Sequence, residues 1–245
     1  MYRIRSKFYK KDDMVFISHL DLIRLFERAF RRAHIPVSYS QGFNPHPIMS
    51  FATALGIGIS SDAEYMDIKL TRDMDVGEFM AGLNNQLPDG LEIIASRYIP
   101  NDLTSLMATI KYSSYIVKFD TLEQIDENEL KEKLSLFMQK EELLIIRKKK
   151  RKRKHNYKRF QKEAGRQINI RTFIQDINII KTENTNVVCG MVLATGSSGN
   201  LKPEIVVSKL GEEMHLPIVL EGVRVHRTEL YKEIRPELLT PLDGI

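Results

Sequence analysis

Arginines recur at positions 24, 28, 31 and 32 within Ser18–Phe51, SHLDLIRLFERAFRRAHIPVSYSQGFNPHPIMSF. Guanidinium groups three and four residues apart share one side of a helix, and their planar forks grip phosphate oxygens well. Arg24, Arg28 and Arg31 are therefore candidate phosphate contacts. A few residues on stand Gln41, Phe43, Asn44 and His46, set among Gly42, Pro45 and Pro47. A turn requires Gly, Asn and Pro, but it does not require Gln41, Phe43 or His46. An aromatic ring beside amide and imidazole groups can stack on a base and hydrogen-bond its edges, as readers of single-stranded RNA do. The plainer reading of the same residues is a solvated helix face, with Glu27 paired to Arg31, followed by a polar loop.

Two further segments carry basic chemistry. Arg147–Arg159, RKKKRKRKHNYKR, holds ten Lys or Arg and no acid, so removing it turns the net charge of +5 negative. Such a block is an electrostatic footprint for a polyanion. Lys149, Arg151, Arg153 and Lys158 are its candidate phosphate contacts, with Tyr157 and Phe160 as stacking partners. The loop TGSSGN at Thr195–Asn200 precedes a helix, and its backbone N–H groups beside Lys202 could cradle an anion. It lacks the phosphate-binding G-x-x-x-x-G-K-[ST] spacing, and Gly and Ser are ordinary before a helix.

For catalysis the candidates are His19 and His46 as acid or base. Ser18 and Asp21 have the spacing of a capping box, which puts His19 in a first helical turn where the dipole disfavours its charged form. The single cysteine, Cys189, excludes a disulfide framework and a self-contained iron–sulfur cluster. No Cys/His set has zinc spacing, no Ser–His–Asp order is evident, and Glu64 and Asp67 show no convergent partner. The chain is expected to hold no metal and no cofactor.

The elements that would position these residues follow from periodicity. Tyr2–Tyr9 alternates, with Arg and Lys on one side, as a half-buried strand would. His19–Ala33 is a helix whose apolar arc contains Leu22, Ile23, Leu25, Phe26, Ala29 and Phe30. Extended segments around 37–39 and 48–54, a strand at Ala63–Leu70, a helix at Val76–Leu87 and a strand at Leu91–Ile99 complete the first hundred residues. After a linker over 101–112 the pattern repeats. It gives a strand at Ser114–Phe119, a helix at Asp126–Gln139 and a strand from Glu142 running into the basic block. Long paired strands at Gln167–Ile180 and Val187–Ala194, a helix from Pro203 and a last strand at Val223–Tyr231 follow. This order predicts an α+β protein of two tandem ferredoxin-like (βαββαβ) domains with antiparallel sheets, over residues 1–100 and 113–245. The charged start MYRIRSKFYKKDD is not a signal peptide, and no apolar window is long enough for a bilayer. A cytoplasmic protein without membrane contact is expected.

The stretch SHLDLIRLFERAFRRAHIPVSYSQGFNPHPIMSF, then LGIGISSDAEYMDIKL, INIRTFI and ATGSSGNLKPEIVV, closely resembles the radical-SAM-linked domain of unknown function. The resemblance implies an accessory role near RNA or radical chemistry, with any radical SAM enzyme supplied as a separate partner because this chain lacks a cluster-binding cysteine motif. Where that family's pattern reads Asp near residue 169, this chain has Asn169. The leading expectation is an RNA-binding accessory protein acting with such an enzyme or with RNA-processing machinery. The alternatives are a metal-independent RNA-processing nuclease of the tandem ferredoxin-like type and a protein adaptor without RNA contact.

Overall fold

The computed structural model describes residues 2–147, 166–196, 199–234 and 236–244. The first half runs β1 (Tyr2–Lys10), α1 (His19–Arg32), β2 (Met49–Phe51), β3 (Ser60–Leu70), α2 (Val76–Asn84) and β4 (Leu91–Tyr98). After the short α3 (Leu106–Thr109) come β5 (Tyr112–Thr121), α4 (Glu127–Gln139), β6 (Leu144–Arg147) and β7 (Arg166–Asn169). The chain then forms β8 (Ile174–Glu183), β9 (Asn186–Ala194), α5 (Pro203–Met214) and β10 (Ile218–Tyr231).

The expectation of two ferredoxin-like domains with separate antiparallel sheets is incorrect. One eight-stranded sheet, ordered β4-β1-β3-β10-β5-β9-β8 with β2 also on β3, runs through both halves, and β6-β7 form a separate pair. β10 joins β3 in parallel, His226 opposite Ser60 and Arg227 opposite Ser61. The cause lies in the length of β2. It covers only Met66–Ile68 of the eleven-residue β3, which leaves the start of that edge open for another strand.

Three apolar clusters hold the sheet. α1 and α2 bury Phe26, Ala29, Phe30, Phe79 and Leu83 against Ile4, Phe8, Met66 and Ile68. α4 and α5 bury Leu130, Phe137, Val206 and Leu210 against Val117, Phe119, Cys189 and Met191. The opposite side of β3 is closed by Leu106 and Ile110, from α3 and its exit, with Leu230 and Leu242 around Tyr65.

That last layer changes the reading of β1, which is buried on both faces rather than one. Arg5, only 1% exposed, lies directly opposite Asp67. It donates from Nε and Nη2 to the two carboxylate oxygens at 2.7 and 3.0 Å, and from Nη1 to the Pro241 carbonyl at 3.1 Å. Arg3 donates to the same carboxylate at 2.6 Å and to the Leu103 carbonyl. Glu64 accepts from Arg227 at 2.8 Å, and Arg227 also reaches Thr53 and Tyr115. Glu64 and Asp67 thus have partners that sequence order concealed. Asp67 replaces its lost hydration with several charge-assisted bonds, the condition under which buried ion pairs persist, whereas Glu64 accepts one from Arg227, whose Nε is buried without a partner among the described residues.

The predicted strand Gln167–Ile180 is broken. Asn169 Oδ1 accepts from Leu143 and Arg171 backbone N–H groups, while its Nδ2 donates to the Glu141 carbonyl. Only β8 continues to β9, and β7 turns away to pair with β6. An aspartate could make the first two of these bonds but not the third.

Candidate functional site

α1 opens at Ser18, whose Oγ accepts from the Asp21 backbone N–H at 3.2 Å and donates to the Asp21 carboxylate at 2.6 Å. That hydroxyl holds the Asp21 carboxyl below the usual range, aided by the nearby Arg24. The helix then buries Leu22, Phe26, Ala29 and Phe30, so the opposite face must carry the arginines outward. Phe26 meets Phe8 edge-on at 5.2 Å between centroids, which fixes the helix on the sheet. Arg32 leaves the exposed row, donating to the Gln86 carbonyl at 2.6 Å and to its side chain at 3.1 Å. Arg24 lies 3.5 Å from Asp21. Arg28 and Arg31 are exposed and have no carboxylate partner among the described residues.

The Gln41–His46 segment is the tip of a narrow turn-back. Ile48 N–H donates to Ser38 O, Ser40 N–H to His46 O, and His46 N–H to Ser40 Oγ. Gly42 takes a φ of +132°, a conformation open to glycine and rarely to other residues. Phe43 stands fully in solvent, and Gln41 and Asn44 are exposed beside it. Such an aromatic tip makes no contribution to the protein's own core.

Between this loop and α1 lies a groove of about 360 Å³, lined by Leu20, Ile23, Arg24, Glu27, His46, Pro47, Met49 and Phe51. Arg24 and His46, both candidates from the sequence, line it together, whereas the apolar walls were not among the candidates. Leu20 and Ile23 sit at the margin of the helix's apolar arc, and Met49 and Phe51 share one side of β2, which were the available signals. Glu27 does not pair with Arg31. Its Oε1 lies 3.4 Å from His46 Nδ1, with the Glu27 side chain 21% exposed and that of His46 69% exposed. His19 is not among the lining residues, but its ring packs edge-on against Phe51, one of the groove walls, at 5.2 Å between centroids.

The remaining candidates fall elsewhere. Lys149, Arg151, Arg153 and Lys158, with Tyr157 and Phe160, lie outside the described residues. Lys202 is exposed at the start of α5, in the other half of the sheet. Gly196 of its loop has φ +85°, and a Cβ there would come within 2.4 Å of the Ile110 carbonyl, so close packing accounts for that glycine. The structure also assembles a Ser–His–Asp line that sequence order did not disclose. His226 Nδ1 is 2.8 Å from Ser60 Oγ and its Nε2 is 2.8 Å from Asp62. Burial raises the Asp62 pKa, but the Lys11 ammonium and His226 outweigh it and hold the carboxyl below its usual range. This line ties β10 to β3. Among the described residues no group of three His, Cys, Asp or Glu is placed to hold a metal ion, and no helix is long and apolar enough to cross a membrane.

Comparison with known proteins gives a family and a fold. The family described as "Uncharacterized protein conserved in bacteria (DUF2344)" matches residues 3–203. No curated protein matches the chain. A chain of a Cbf5-Nop10-Gar1 complex is similar at 8% identity with a TM-score of 0.51, covering 94% of this chain and 48% of that one. A chain of an H/ACA RNP bound to a substrate RNA containing 2'-deoxyuridine is similar at 8% identity with a TM-score of 0.48, covering 94% and 47%. This chain therefore spans about half the length of these two. At such identity the likeness is one of fold alone.

Proposed function

We propose that this chain, which belongs to the DUF2344 family, is an RNA-contacting accessory protein that works beside a separately encoded radical SAM enzyme or RNA-processing machinery. The observation that carries the reading is the placement of Arg28 and Arg31, exposed and without carboxylate partners among the described residues, next to the groove and the Phe43 tip. Here Arg24, Arg28 and Arg31 hold phosphates, while Gln41, Phe43, Asn44 and His46 meet bases. The 147–159 block supplies further phosphate contacts, and Lys202 a more distant one. The resemblance to the radical-SAM-linked domain supports the partner enzyme.

Salt-dependent binding tests this. Labelled single-stranded RNA should bind with an affinity that falls linearly on a log–log plot against salt. The slope should become shallower by about one for each of Arg28→Ala and Arg31→Ala. Undetectable binding at low salt, or binding indifferent to salt, would sink the reading.

A further inference from the structure

We infer that the groove between α1 and the Gln41–His46 loop takes an unstacked guanine base of single-stranded RNA, read by the Glu27 carboxylate. This rests on the RNA-contacting reading above and adds to it a base identity and a residue that selects it.

The walls come first. Leu20, Ile23, Pro47, Met49 and Phe51 give the groove apolar sides, and its volume of about 360 Å³ lies within the range of small planar ligands. A base pulled from its stack needs such sides, because both of its faces lose a neighbour. The groove is lined by Arg24, with Arg28 one turn and Arg31 two turns further along the helix. A strand entering here has its phosphates beside guanidinium groups while a base points inward.

The polar edge decides which base. Glu27 is four-fifths buried in this groove, yet its ion-pair partner among the described residues is His46 alone, at 3.4 Å. A carboxylate accepts only, so a ligand that fills this space must bring donors. Guanine presents two adjacent donors, N1–H and the 2-amino group, spaced to meet both carboxylate oxygens at once. Uracil offers a single N–H flanked by two carbonyl oxygens, which a carboxylate repels. Adenine and cytosine each set one amino donor beside an acceptor nitrogen. Guanine therefore satisfies the buried carboxylate, and the others leave a lone pair of Glu27 facing an acceptor. His46, exposed on its outer side, sits where it can hold Glu27 in position from the rim.

The test uses the full chain and four fluorescent oligouridine strands, each with a different central base, titrated at low salt. The guanine-centred strand should bind about tenfold tighter than the other three, the discrimination expected of a bidentate contact. Glu27→Gln should bring the affinity ratio close to one, while Arg28→Ala should weaken all four strands alike. Equal affinities for the four strands, or a preference that survives Glu27→Gln, would overturn the inference and leave the RNA reading standing. No binding of any strand would overturn both. Should Glu27→Gln fail to fold, 6-thioguanine at the central position decides on the wild-type protein. A photo-adduct on Leu20–Phe51 supports the site, and adducts confined to other segments reject it.

Discussion

The seam between β3 and β10 and the groove beside α1 are both rich in charge, but the charges are handled in opposite ways. At the seam Arg227 and Glu64 are almost wholly buried, as are Arg5 and Asp67 where β1 pairs with the other edge of β3, and each carboxylate meets at least one guanidinium within 3 Å. On α1, Arg28 and Arg31 stand in water, and the ion-pair partner of Glu27 among the described residues is a histidine. Charges paired inside the fold hold the protein together. Under the RNA-contacting proposal the charges on the exposed face beside the groove meet a ligand instead. On that proposal the same residue types serve architecture in one place and recognition in the other, and burial with partner count tells them apart.

The sharpest way to break this contrast is at the seam. Arg227→Met should destabilise the fold by about 3–5 kcal/mol in urea titrations, because Glu64 is left buried without its partner. Adding Glu64→Met should restore part of the loss, but not all. Burial already lowers the pKa of Lys10 and the Glu64 carboxylate opposes that, so Lys10 loses its support. A loss below 1 kcal/mol for the single variant would remove the distinction between the two regions.

At the groove the same kind of change should affect binding and spare the fold. The Arg28→Ala/Arg31→Ala pair should cost about 3 kcal/mol of RNA affinity at low salt. Its unfolding free energy in urea titrations should stay within about 0.5 kcal/mol of wild type. Phe43→Ala should weaken RNA by about 2 kcal/mol through lost stacking, again without a change in stability. A destabilised Phe43→Ala would mean that the tip packs on the protein and not on a ligand.

The smallest effect sharpens the comparison from the side of α5. Hydrogen bonds from Lys140 and Lys209 hold the Glu213 carboxyl down at about 2 against an ordinary 4.5. The native ion pair therefore stabilises fully above pH 4.5, and its contribution is lost as pH falls toward 2. Glu213→Gln should be less stable than wild type at pH 7 by about 1 kcal/mol or less, since these side chains are partly solvated. The gap in melting temperature should close over that same acidic window.

What could be read from the sequence follows the same division. The amphipathic spacing of α1, its cap at Ser18 and its outward arginines were all legible, because a helix reports its two faces every few residues. Two residues of the groove, Arg24 and His46, were candidates from the sequence, but the Glu27–Arg31 pair that spacing offered as the plainer reading does not form. β1 was misjudged for a definite reason. Alternation of Arg and Ile says that two faces differ, not that the polar one meets water, and Asp67 lies more than sixty residues away. The fusion of the sheets was hidden likewise, because nothing local says that a three-residue β2 leaves an edge for β10.

That edge has a consequence for how the protein is made. The start of β3 that β10 covers waits for a strand more than 150 residues further along the chain, and Arg5 waits for the carbonyl of Pro241. A nascent chain can collapse around Phe8, Phe26 and Phe30 well before then, but it does so with an unpaired strand edge and an incompletely solvated Arg–Asp cluster. The first half is thus synthesised early and finished late, and the interval between the two is when pairing with another unfinished copy competes with self-completion.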